Sequence, residues 1–328
     1  MKKKNKIIIA LSVILVFVCI VLIGAANFLV GFAIDTESSF NMTTLFKMAM
    51  EKSGNPTGEE GEMEYSGFMG SNEDNLWFSE TAEDIYITAE DGLKLHAYLI
   101  TNKEKNSNGN FAMVFHGYTS EAKHMAYSAK HFYDLGYSIL LPDARSHGTS
   151  EGRFISMGWL ERKDNLLWID EILKINSKAR IFLYGISMGG STVVNTAGEE
   201  LPKQVVLAIE DCGYSSVWDE FSHQMKSMFR LPSFPLLNLA AVIAEMKAGF
   251  DFLEADSVAQ AAKIKIPTLF IHGSEDTFVP FEMLDKLYDA ATCEKEKLVV
   301  EGAGHATSSS TDPELYWSTV DSFIEKHI

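Results

Sequence analysis

The stretch Tyr184-Gly-Ile-Ser-Met-Gly-Gly190 decides how this chain is read. It follows a short apolar run, Ile181–Leu183, and opens a helix-compatible segment, Ser191–Glu199. A strand that turns directly into a helix exposes one residue at its apex, and here that residue is Ser187. So sharp a turn holds the serine in a sparsely populated backbone region, at a cost of about 1–3 kcal/mol. Gly185 and Gly189 are required because side chains there would collide with the neighbouring strand and helix. Ser187 then projects at a helix amino terminus, where peptide dipoles favour developing negative charge. The pentapeptide G-x-S-x-G alone arises by chance. The strand before it and the helix after it make it the setting of a nucleophile.

Working outward, β-rich runs alternate with helical stretches. The runs are Ile85–Thr88, Leu93–Ile100, Phe111–Phe115, Ser138–Leu141, Ile181–Tyr184, Val205–Ile209, Thr268–Ile271 and Leu298–Val300. Ala89-Glu-Asp-Gly92 reads as a hairpin turn between the first two. After Phe111 the order is strand, helix, strand, with helical periods such as Trp159–Ile175 and Tyr316–Lys326. The expected fold is α/β: a mostly parallel eight-stranded sheet with helices on both faces, opened by an antiparallel hairpin. Between Asp211 and Ile266 the connection is far longer than one crossover helix, and a structureless loop of that length is improbable. It reads as a helical cap, about residues 213–262, over the carboxyl edge of the sheet.

A protonated hydroxyl is a poor nucleophile, so a base and an orienting acid belong downstream. Gly302-Ala-Gly-His305 follows the last strand and offers His305 as the base. Asp276, in the loop after the seventh strand, is the first choice of acid; Asp211 and Glu275 stay open as rivals. The oxyanion needs two backbone donors. The expected pair is the N–H of Met188 and the N–H of Tyr118, with Gly117 allowing close approach. His116 and His272 each precede a glycine at a strand end and read as loop hydrogen-bonding residues.

Five blocks now stand in order: HGYTS at 116–120, PDARSHGTSEG at 142–152, GISMGG at 185–190, IPTLFIHGSEDTFVP at 266–280 and GAGH at 302–305. With them, residues 83–328 resemble an α/β-hydrolase of the serine-esterase and S33-aminopeptidase-like group. The resemblance implies the order Ser187, Asp276, His305 for nucleophile, acid and base, and no metal or organic cofactor. It also implies a structural loop at Asp143–His147, with Arg145 and His147 holding the floor of the site. With the leading apolar span, the chain resembles the membrane-anchored bacterial members of that group. A fold of this kind hosts many chemistries, so it does not name the substrate.

The span begins after four lysines, Lys2, Lys3, Lys4 and Lys6, and runs uncharged from Ile7 to Ile34. Its 28 residues exceed the roughly 20 that cross a bilayer. A cleaved signal peptide, cut after Gly24-Ala-Ala26, is the competing reading, but the apolar run continues past that site. Lysines before the span and Asp35 and Glu37 after it place the amino terminus in the cytoplasm and the rest outside. The expected division is 1–34 anchor, 35–82 linker and 83–328 hydrolase domain, with lipid contact through residues 7–34. Glu51–Gly61 is loop-like, and Met48, Met50, Met63 and Met69 read as adhesive packing. The part beyond the lysines holds 24 basic against 45 acidic residues, or −21, which argues against nucleic-acid binding. Three cysteines without C-x-x-C spacing argue against structural zinc, and Cys212 and Cys293 are expected as free thiols.

These readings converge on a small-molecule acyl ester as substrate. In the cap, Phe221 to Leu237 is crowded with apolar side chains, and Pro232 and Pro235 break it into two helices. Met225, Met228 and Phe229 are candidate acyl-binding residues there, although the same side chains could simply pack on the sheet edge. The rival activity is an aminopeptidase, which would need carboxylates such as Asp219, Glu220 or Glu245 to hold an ammonium. A catalytically silent binding domain is the rival from another class.

Overall fold

Eight strands form one sheet: β1 (Glu83–Thr88), β2 (Lys94–Ile100), β3 (Phe111–Phe115), β4 (Ser138–Pro142), β5 (Ile181–Ile186), β6 (Val205–Asp211), β7 (Thr268–Gly273) and β8 (Lys295–Val300). Their order is β1-β2-β4-β3-β5-β6-β7-β8. The first two pair antiparallel, β2 runs antiparallel to β4, and every later pairing is parallel. These strands come from a computed structural model, which describes residues 2–45, 48, 71–103, 105 and 109–328.

The central strands are buried at nearly every position and mostly apolar because both faces are covered, their polar residues gathered at the strand ends. Along β5, Phe182, Tyr184 and Ile186 enter one buried layer, while Ile181 and Leu183 enter the other. Three helices close the first layer: α2 (Asn72–Thr81), α3 (Ala126–Asp134) and α11 (Pro313–His327). The second is closed by α4 (Glu161–Ile175), α5 (Met188–Ala197) and α9 (Glu282–Ala290). Between β6 and β7 stand the cap helices α6 (Val217–Phe229) and α7 (Leu236–Ala248), then the short α8 (Ser257–Ala261). A four-residue α10 (Ser308–Thr311) follows β8. As the prolines required, the apolar cap segment is two helices with a break at 230–235.

Two parts of the expected linker 35–82 are built otherwise. Ser71 accepts the Asp74 N–H and Asp74 accepts the Ser71 N–H, a reciprocal cap that starts α2. Phe78 then buries its ring against Tyr98, 5.0 Å between centroids. It is the one buried residue of the helix, so no apolar period announced it. Upstream, Arg153 grips Asp35 with two hydrogen bonds of 2.9 and 2.8 Å, and the Ile155 N–H donates to Ile34 O. Glu51–Gly61, Met50, Met63 and Met69 lie outside the described residues, and Met48 is exposed.

The first helix, α1 (Lys2–Ala33), is apolar after its lysines apart from Ser12 and Asn27, and carries no charge there. Ile7–Val21 is exposed throughout, and the helix is long and apolar enough to cross a membrane. Its last turns bury one face. Ala26 and Val30, with Ile34 just beyond, lie four residues apart on one face and are buried with Leu237, Ala240, Ala241 and Ala244 of α7. Those alanines let the two helices approach closely. The expected boundary at residue 34 therefore cuts across a packed unit, since residues 26–34 contact the cap.

Candidate active site

Ser187 sits between β5 and α5 at φ 60°, ψ −121°, outside the ordinary regions for an L-residue. Its N–H donates to Asp211 O on the neighbouring strand at 2.8 Å, which helps hold the turn. A Cβ on Gly185 would strike the backbone of Gly189, and one on Gly189 would strike the carbonyl of Phe115. Both glycines are thus dictated by close approach of backbone to backbone.

His305 lies in the turn after β8. Its Nε2 is 2.8 Å from Ser187 Oγ and its Nδ1 is 2.7 Å from Asp276 Oδ2. Asp276 Oδ1 accepts the N–H groups of Phe278 and Val279, each at 2.9 Å. Its Oδ2 also lies 3.2 Å from His272 Nε2, which contacts Val279 O at 2.9 Å. Burial pushes the Asp276 carboxyl up, but the hydrogen bonds from His272 and His305 outweigh it and hold the group at about 2. It is an anion, as an orienting carboxylate must be. Asp211, the rival acid, accepts instead from Tyr316 OH at 2.9 Å, and burial pushes it up to about 6. Glu275 makes a backbone bond to Ala303 O. Of the three acids weighed, Asp276 alone is hydrogen-bonded to His305 among the described residues.

Two other histidines near the site have fixed structural partners. His116 bridges Gly117 O and the Ala144 N–H, and His147 bridges Arg145 O and the Thr119 N–H. Burial pushes His147 down to about 3, so it stays a neutral spacer. Arg145 forks onto Asp164 at 2.5 and 2.7 Å and also bonds Asp91. Together they brace the loop that carries Tyr118. Met188 is the first residue of α5, and Gly117 packs against Ser187, its missing Cβ 3.6 Å from that side chain. Cys212 Sγ lies within 4.8 Å of donor atoms of Asp276 and His305, but burial pushes the thiol well up and keeps it protonated, unlike a metal-binding thiolate. Cys19, Cys212 and Cys293 are all free.

Above Ser187 opens a cleft of about 820 Å³, counting its mouth. Met225, Met228 and Phe229 line it, together with Phe221, Leu237 and Phe252 of the cap. Leu231 and Phe234, from the same apolar segment, are exposed outside it. Two linings were not foreseen. Leu29, Val30, Phe32 and Ala33 of α1 form one wall, and Tyr118 OH donates to Ala33 O. Phe32 meets Phe229 edge-on at 5.8 Å. Glu220 brings a carboxyl into this apolar setting; Gln224 bonds one oxygen, and burial pushes the group up to about 8. Only its position one residue past Asp219 separates it in the sequence, and which of two adjacent acids faces inward is a matter of helix docking.

Comparison with known proteins places this geometry. The family described as serine aminopeptidase, S33, matches residues 110–233, and that described as serine hydrolase (FSH1) matches residues 221–311. The uncharacterized protein YqkD of Bacillus subtilis is 30% identical over 218 residues, 66% of this chain and 71% of that one. Esterase Pf2001 of Pyrococcus furiosus superposes with a TM-score of 0.62 at 25% identity, covering 83% of this chain and 97% of that one. An acetyl xylan esterase from Paenibacillus sp. R4 shares the fold, with a TM-score of 0.57 at 15% identity over 80% and 96% of the two chains. The chain belongs to the α/β-hydrolase superfamily, in its esterase-type serine-hydrolase group.

Proposed function

We propose that this protein is a membrane-anchored serine hydrolase that cleaves carboxylic esters through an acyl-enzyme. The observation that carries the reading is His305, hydrogen-bonded at once to Ser187 Oγ and to Asp276 at the foot of an apolar cleft. Ser187 Oγ attacks the ester carbonyl while His305 Nε2 takes its proton, and Asp276 holds Nδ1–H and stabilises the imidazolium. The N–H groups of Met188 and Tyr118 receive the oxyanion. His305 returns the proton to the leaving alcohol, then activates the water that frees the acid. Met225, Met228 and Phe229 hold the acyl chain. The apolar run 7–34 anchors the chain, its last turns docked on the cap, and the chain beyond the membrane span lies outside the cytoplasm.

Ester is favoured over aminopeptide by the lining itself. Asp219 is tied to Lys286 at 2.7 Å, and Glu220 is a single carboxyl held neutral by burial. An ammonium group would need a charged partner there. The test is turnover of p-nitrophenyl esters of graded chain length beside aminoacyl amides. Ester turnover that rises with chain length is expected, and preference for the amides would overturn the reading.

A further inference from the structure

The apolar run at the amino terminus is longer than a bilayer requires, and its surplus is built into the cleft. Ile7 to Gly24 covers about 27 Å at 1.5 Å per residue, close to the roughly 30 Å of a hydrocarbon core. Just beyond it, Asn27 accepts from Lys247 Nζ at 2.6 Å, the point where a cation first stands beside the helix. Leu29, Val30 and Ala33 follow within about two turns and face the cleft above Ser187. Charged side chains settle at the headgroup layer of a membrane, and the ester carbonyls of acyl lipids lie in that layer too.

Two further observations agree. Phe28 and Phe40, and Val242 and Met246 on α7, leave large apolar surfaces exposed on and beside this helix. No lysine or arginine lines the cleft among the described residues, so nothing there would recognise a phosphate.

On the ester-hydrolase reading above, we propose that the substrate is a neutral acyl ester dissolved in the outer leaflet, such as a glyceride. It reaches Ser187 laterally, with its acyl chain against Leu29, Val30 and Ala33, so the anchor is also part of the acyl-binding wall. The chemistry is complete without a further reactant beyond water. Ser187 Oγ forms the new ester, the lipid's carbonyl–oxygen bond breaks, the alcohol leaves with the proton carried by His305, and water releases the fatty acid.

The test uses full-length protein in phosphatidylcholine vesicles containing 1,2-dioleoylglycerol, with release of oleate measured. Phosphatidylglycerol hydrolysis and p-nitrophenyl acetate turnover are followed in parallel. Oleate should appear from the diacylglycerol in the enzyme's own vesicles. Val30→Trp should lower that rate at least about tenfold more than it lowers acetate turnover, because it fills the wall the acyl chain needs. Fluorophosphonate labelling of the variant reports that it is folded; if it is not, Ala33→Leu should give the same ordering. Acetate turnover without diacylglycerol hydrolysis would overturn the lipid proposal and leave the ester reading standing. So would a Val30→Trp ratio unchanged from the parent, or faster cleavage of phosphatidylglycerol. Absence of all ester turnover and of labelling would remove the hydrolase reading and this inference with it.

Discussion

Ser187 and Phe229 line one cleft, yet the regions that carry them are built on different terms. The sheet side is held by backbone. Strand register, the turn at φ 60° and two glycines with no room for a Cβ locate Ser187, and backbone N–H groups pin Asp276. The cap side is held by side-chain packing between helices far apart in sequence, α1 against α7 through alanines and valine. Backbone-defined positions tolerate almost no change in residue type. Packed helix faces tolerate much, so in such a protein the chemistry is rigidly specified and the pocket can vary.

The sharpest way to break this comparison is at the sheet. Ser187→Ala and His305→Ala should each lower kcat by at least about three orders of magnitude in ester turnover, because members of such a chain act as a unit. Circular dichroism of Ser187→Ala should show a native fold. The two acids give the next contrast. Asp276→Asn should cost up to about four orders of magnitude at neutral pH by favouring the wrong imidazole tautomer, whereas Asp211→Asn should change kcat by less than about tenfold. The reverse ranking would place the acid on β6.

Effects on the cap side are smaller. Met228→Ala or Phe229→Ala should flatten the rise of kcat/KM with acyl length, each methylene contributing up to about 0.8 kcal/mol, while short esters are hydrolysed nearly as before. A chain-length profile unchanged by both would mean that these residues only pack. The smallest effect concerns Glu220, whose carboxyl stays protonated up to about 8 in the folded protein, against roughly 4.3 in an unfolded chain. Between those values the unfolded state has released a proton that the folded state retains, so stability falls as pH rises. Chemical denaturation across that window should show Glu220→Gln flattening the slope by up to about 1.4 kcal/mol per pH unit.

The same division decides what could be read from the sequence. Tyr184–Gly190 and Gly302–His305 announce themselves because the backbone there admits few residue types, and the eight strands follow from their β-rich runs. The docked face of α1 does not, since a helix apolar on nearly every side shows no periodicity from which Ala26, Val30 and Ile34 could be told apart. Helix α2 escaped for the opposite reason, with Phe78 as its one buried residue. Glu220 and Asp219 look alike until the cap is folded onto the sheet.

Active-site labelling tests most directly whether Ser187 is a nucleophile activated by His305. Full-length protein is treated with a fluorophosphonate, digested, and the adduct mapped by mass spectrometry. A single phosphonylated serine at Ser187, absent from Ser187→Ala and strongly slowed in His305→Ala, is the expected result. Folded protein that remains unlabelled, or carries its adduct on another serine, would contradict it.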